Sequence, residues 1–130
     1  MAFPEDFLEI SKWLKQKGSQ ENCPFSESAY RCAVSRAYYA AFLYAENFAV
    51  KNFNYRTPQG KNSHSCLADV YEKSEFHLYR KIGKILKKMK RLRIKCDYKR
   101  TPVTNLKRET ENTIQEAEKI ITELKQLKNK

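Results

Sequence analysis

The chain has 130 residues and a mass of 15.4 kDa, enough to bury the core of one domain and too little for two. Only 3 Gly and 4 Pro punctuate it, so a many-stranded fold is excluded and one all-α domain over residues 1–130 is expected. The formal net charge is +11, and it is concentrated: from Tyr79 to Arg100 there are eleven Lys or Arg against one acid, Asp97, while the remainder holds 15 basic and 14 acidic residues. Positive charge gathered in one segment points to a polyanionic partner.

Pro4 suits the first turn of a helix that carries Phe7, Leu8, Trp13 and Leu14 and stops at Gly18. Ser26 is the expected N-cap of a second helix. There Tyr30, Ala33, Val34, Ala37, Ala41, Tyr44, Ala45 and Phe48 recur at steps of three and four, the spacing of one buried face. The alanines, Ala40 among them, allow another helix to approach closely. The pattern breaks over residues 51–62, where Asn, Pro and Gly predict a loop.

A short third helix follows, capped by Ser63 and bearing Leu67, Val70 and Tyr71. The long basic helix after it keeps Ile82, Ile85, Leu86, Met89, Leu92 and Cys96 on one stripe. Thr101-Pro102 ends that helix, because proline restrains the residue before it, and Thr104 is placed to cap a last one. Leu106, Thr110, Ile114, Ala117, Ile120, Ile121, Leu124 and Leu127 form its apolar face. The expectation is an up-and-down bundle of four to five antiparallel helices.

The first residues lack the basic and apolar regions of a secretion signal, and no apolar run is long enough to span a bilayer. A cytoplasmic protein without membrane association is expected. Cys23, Cys32, Cys66 and Cys96 form no CxxC pair and no acidic cluster is present, so neither a metal nor another cofactor is expected.

The chemistry concentrates between Arg91 and Tyr98. At about 100° per residue these two, seven positions apart, project from nearly the same side of a helix, with Arg93 and Cys96 nearer the apolar stripe. A guanidinium beside a phenol, an acid and further cations can grip a phosphate while the ring stacks on a base. Arg91, Arg93, Lys87, Lys88 and Lys95 are the candidate phosphate contacts. Lys61 joins them from the end of the loop, next to His64 at the start of the third helix. A solvated basic face, with Asp97 merely pairing Arg93 or Arg100, is the bland reading. Eleven cations that repel one another favour an anion. Tyr38, Tyr39 and Tyr44 fall on the apolar face of the second helix and are expected to pack in the core or in an interface.

Two segments together resemble the HEPN superfamily of small helical domains. Residues 33–42, from Ala33 through Ser35-Arg36-Ala37-Tyr38-Tyr39 to Phe42, look like its S-R-x-Y-Y-A-x-F helix. Arg91-x4-Cys96-Asp97-Tyr98 is similar to its R-x4-[A/H]-x-Y pattern, and Lys61-x2-His64 resembles the K-x-H that opens its short helix. The resemblance implies a homodimer whose arginine motifs face each other. It also implies metal-independent cleavage of RNA in members with the complete R-x4-6-H motif, often as toxins countered by a partner nucleotidyltransferase that can modify the motif's tyrosine. Arg91, Asp97, Tyr98 and His64 are then the expected catalytic residues, with Cys96 standing where the histidine would be. Three functions follow: an endoribonuclease, a non-catalytic nucleotide- or RNA-binding module serving a nucleotidyltransferase, and a basic protein-interaction domain.

Overall fold

The computed structural model describes residues 3–56 and 63–128. Its elements are α1 (Phe3–Gly18), α2 (Ser26–Asn52), α3 (Ser63–Glu72), α4 (His77–Tyr98) and α5 (Leu106–Lys128). Among the described residues no strand occurs, and no helix is long and apolar enough to cross a membrane. The expected elements are all present. Their starts differ in detail: Phe25, without a side-chain cap, occupies the position expected for Ser26, and α5 begins after Asn105, which adopts the left-handed conformation at φ 54°.

α2 is the central helix, packed against α1, α4 and α5, while α3 lies on α4. Its alanines explain this position: Ala33, Ala37, Ala40, Ala41, Ala45 and Ala49 are all fully buried, and such small side chains let three neighbours reach one helix. The apolar faces of α4 and α5 close on it through Ile82, Leu86, Met89, Ile120 and Leu124. At the far end Phe48, Phe53, Tyr71 and Tyr79 meet edge to face, with centroids 4.9 to 6.1 Å apart.

Side-chain contacts fix the directions. Ser11 Oγ donates to Ala33 O at 2.6 Å and Ser19 meets Tyr30, so α1 and α2 are antiparallel. Ser35 meets Asp97 and Phe48 meets Tyr79, so α2 and α4 are antiparallel too. Lys12 pairs with Glu118 and Glu5 with Lys125, so α5 is antiparallel to α1. The four long helices thus alternate in direction. α3 departs from simple alternation: Tyr38 reaches His64 and Tyr71 donates to Ala45 O at 2.7 Å, so α3 runs parallel to α2 and starts beside its middle. That placement brings His64 to the level of the basic end of α4.

α3 and α4 cross almost in backbone contact at Gly83. A Cβ there would lie 2.5 Å from Glu72 N and 2.7 Å from Ala68 O, so glycine is what permits the crossing.

Candidate functional site

Two rows of side chains at helical spacing meet where α2 crosses α4. From α2 come Ser35, Arg36 and Tyr39, and from α4 come Arg93 and Asp97, four residues apart and therefore on one face. Arg93 is the centre. Its Nε donates to Asp97 Oδ2 at 2.9 Å, and its Nη2 donates to Tyr39 Oη at 2.6 Å and Tyr98 Oη at 3.3 Å. Its guanidinium carbon lies 4.9 Å from the centroid of Tyr39 and 5.3 Å from that of Tyr98. Asp97 is held in turn, because Ser35 Oγ donates to the same Oδ2 at 2.9 Å.

Arg36 also lies over Tyr39, 5.0 Å from its centroid and 5.2 Å from that of Phe7, and it donates to Ser35 Oγ at 3.3 Å. Two guanidinium groups thus contact the Tyr39 ring, an arrangement that cation–π attraction favours. The Arg93 side chain is only 13% exposed, yet its Nη1 has no acceptor among the described residues and is not a buried atom. Three of its five N–H groups are thus engaged and two remain for an anion.

His64 forms the wall of the site. Its ring stacks on Phe42 at 4.1 Å and on Tyr38 at 5.5 Å, and its Nδ1 is 2.6 Å from Tyr38 Oη. Burial raises the Tyr38 phenol well above its usual range, so Tyr38 stays protonated, and the imidazole tautomer sets which of the two atoms donates. Burial, then Arg93 and Lys90, hold the imidazole below 6.5. It is neutral at pH 7.

The end of α4 that carries Asp97 and Tyr98 is fastened by Arg31. Its Nη1 donates to the carbonyls of Lys95, Cys96 and Lys99 at 3.0, 3.2 and 2.8 Å, and its Nη2 to that of Thr101 at 2.8 Å. A cation on these carbonyls, of which Lys95 O also accepts the Lys99 N–H, supplies donors where the helix ladder ends and opposes the negative end of the helix dipole.

The sequence expectations are redistributed by this geometry. Arg93, and not Arg91, joins Asp97 and Tyr98. Arg91 is exposed and lies beside the groove between α4 and α5 with Lys88, Lys95, Glu109 and Glu116. Its alignment with Tyr98 on an isolated helix is outweighed by the packing of α2 on the face that bears Arg93. Lys87 bridges Asp69 and Glu72 at 2.7 and 3.1 Å, and Lys88 pairs with Glu116 at 3.1 Å. Both cations are matched by acids of the domain itself. Lys95 is exposed, and Lys61 lies outside the described residues.

Cys96, 6% exposed, has its thiol pushed up to about 11, chiefly by burial, which leaves it protonated and unsuited to replace a histidine as base. Tyr38 is a core residue as expected, whereas half-buried Tyr39 belongs to the site. Ser35 and Arg36 were legible as part of the S-R-x-Y-Y segment but without a role, and Arg31 only as a polar residue on a mostly apolar helix. Among the described residues no group of three or more His, Cys, Asp or Glu could hold a metal ion.

A compact all-helical bundle with an arginine clasped by an acid and two tyrosines at its central crossing is the class this fold defines. The model of the HEPN domain family matches residues 20–127, and the chain belongs to that family. No curated protein and no solved structure matches it.

Proposed function

We propose that the domain binds RNA or a nucleotide through Arg93, with the exposed Tyr98 ring as a stacking surface for a base. The observation that carries this reading is the oriented guanidinium. Asp97, Tyr39 and Tyr98 fix three of its N–H groups and leave the pair on Nη1 for a phosphate oxygen. An arginine held in this way loses little side-chain entropy on binding, which makes a charge-assisted contact from Nη1 to phosphate favourable. By the family resemblance, two copies of the chain would bring their Arg93 sites together in a homodimer, and a partner nucleotidyltransferase would act on Tyr98. The toxin or defence role is part of the same proposal.

Metal-independent cleavage of RNA is the second reading, and the neutral imidazole near Arg93 favours it. In that reaction the 2′-hydroxyl gives its proton to a base as its oxygen bonds to the neighbouring phosphorus. The P–O5′ bond breaks, the 5′-oxygen leaves with a proton from an acid, and the arginine offsets the growing negative charge. It therefore needs a base. Nδ1 of His64 is taken up by Tyr38, which leaves only Nε2 on that ring, and buried Cys96 keeps its proton. The residues at hand serve binding better than proton abstraction.

The test is titration of fluorescent adenosine monophosphate and labelled RNA, in EDTA, against wild type, Arg93→Ala and Arg91→Ala, each checked for an unchanged melting transition. Loss of one charge-assisted phosphate contact is worth roughly 1.5–3 kcal/mol, or roughly 10- to 100-fold in Kd. Arg93→Ala is expected to lose that affinity for the mononucleotide, and Arg91→Ala to keep it. Equal affinity in wild type and Arg93→Ala would refute the assignment, and RNA cleavage in EDTA would move the function to the second reading.

A further inference from the structure

The charge that first distinguishes this sequence is not at the Arg93 site. Five cations, Lys81, Lys84, Lys88, Arg91 and Lys95, recur along α4 at steps of three and four and are all exposed. They line one side of the helix. Ile82, Leu86 and Met89 on the opposite side are buried. Lys81 and Lys95 are 14 residues apart, so the row is about 21 Å long with a cation about every 5 Å. Of the five only Lys88 has an acidic partner, Glu116, among the described residues. At the two ends stand exposed rings: Phe76, 70% exposed, immediately before α4, and Tyr98, 67% exposed, at its last residue.

We propose that the outward face of α4 is a track for the sugar-phosphate backbone of a single-stranded nucleic acid, which leads to the Arg93 site and shares Tyr98 with it. A straight row of cations matches a partner whose charges are themselves in a row, and an extended strand spaces its phosphates on the same scale as successive helical turns. The rings at either end suit unpaired bases, which stack on aromatic side chains whatever their sequence. A membrane surface fits less well, because the apolar side of α4 is already buried in the core and no apolar residue of the row is left to insert. An acidic protein surface would need neither the rings nor the regular spacing.

The track predicts that affinity grows with strand length, whereas the Arg93 site alone binds one nucleotide as well as many. Three sets of titrations by anisotropy, over a range of salt, use a uridylate dodecamer and uridine monophosphate as probes. They compare wild type, the triple reversal Lys84→Glu, Arg91→Glu, Lys95→Glu, and a control reversal of the same charge on α5, Lys107→Glu, Arg108→Glu, Lys119→Glu, all at exposed positions. The α4 reversal is expected to weaken dodecamer binding by at least roughly tenfold at moderate salt and to reduce the slope of log K against log salt by about 2, at about 0.7 per cation removed. It leaves mononucleotide binding unchanged.

Equal losses in the two reversals would show that only net charge matters and overturn the track, as would a dodecamer bound no better than the mononucleotide by wild type. Competition by polyglutamate or by anionic vesicles as strong as that by RNA would overturn it as well. A neutral set, Lys84→Gln, Arg91→Gln, Lys95→Gln, covers the case in which the reversal does not fold. The two sites fail separately, since Arg93→Ala tests the nucleotide site and leaves the α4 row intact.

Discussion

Replacing Gly83 by alanine sets two effects of opposite sign against each other. Gly83 lies inside α4, and at an unconstrained helix position the alanine would be more favourable by about 1 kcal/mol. Against this, the added methyl would sit 2.5 Å from Glu72 N, 2.7 Å from Ala68 O and 2.9 Å from Glu72 Cα, all backbone atoms of or beside the α3 crossing. A side chain could rotate away, and a helix backbone cannot. Ordinary contact begins at 3.4 Å, so α3 would have to withdraw by about 1 Å, losing dispersion contacts along its length. Overpacking costs about 1–3 kcal/mol, and the rigid neighbour places this case near the upper end.

The net expectation is a loss of about 2 kcal/mol, which for a domain of this size lowers the melting temperature by roughly 6–8 °C. The damage should be felt at the site as well, because α3 carries His64 and its 2.6 Å contact with Tyr38. Urea unfolding gives the stability and the His64 ring resonances report the contact. A Gly83→Ala variant as stable as wild type, or more so, would refute the claim that backbone proximity governs this crossing.

Arg31→Ala should cost about 2 kcal/mol, the usual scale for hydrogen bonds from a charged donor, since four carbonyls at the end of α4 lose their common partner. Arg31→Lys should recover less than half, because a point charge keeps the dipole interaction but not the fork; full recovery by lysine in thermal melts would contradict this. The lowered pKa of His64 gives a pH dependence. The unfolded chain, with an imidazole near 6.5, binds the proton more readily than the folded one. This contribution to stability is therefore complete above the unfolded value and falls away as the pH drops through it. Melting temperatures measured from about pH 7.5 to about pH 5 should fall more for wild type than for His64→Gln, and identical declines would exclude His64 as the source.

Much of the fold was legible because helical periodicity is a local property. The apolar stripe of α4, the alanine face of α2 and the repeat of α5 each place their residues by spacing alone, and the basic segment can be counted from the sequence. The Ser35-Arg36-x-Tyr38-Tyr39 motif of α2 was visible too, and it supplied the family resemblance. Its division of labour was not. Tyr38 turns into the core to meet His64, and Tyr39, one position on, turns to meet Arg93.

The choice between Arg91 and Arg93 shows where local reasoning stops. Angles about a single helix set Arg91 beside Tyr98, but a side chain with many rotatable bonds bonds to whatever partner the neighbouring helix presents. Arg93 and Asp97 are on the side of α4 that α2 covers, where Ser35 and Tyr39 wait with a donor and an acceptor. The same holds for α3, whose helical character followed from its residues while its direction, parallel to α2, depended on contacts with Tyr38 and Ala45.

The sequence by itself determined the helices, their buried faces and the row of charge on α4, since these depend on neighbours three and four residues away. Only the tertiary structure decided which arginine is clasped, which tyrosine belongs to the core and how Arg31 fastens the end of α4, because those contacts join residues 26 to 70 positions apart and are set by how whole helices pack.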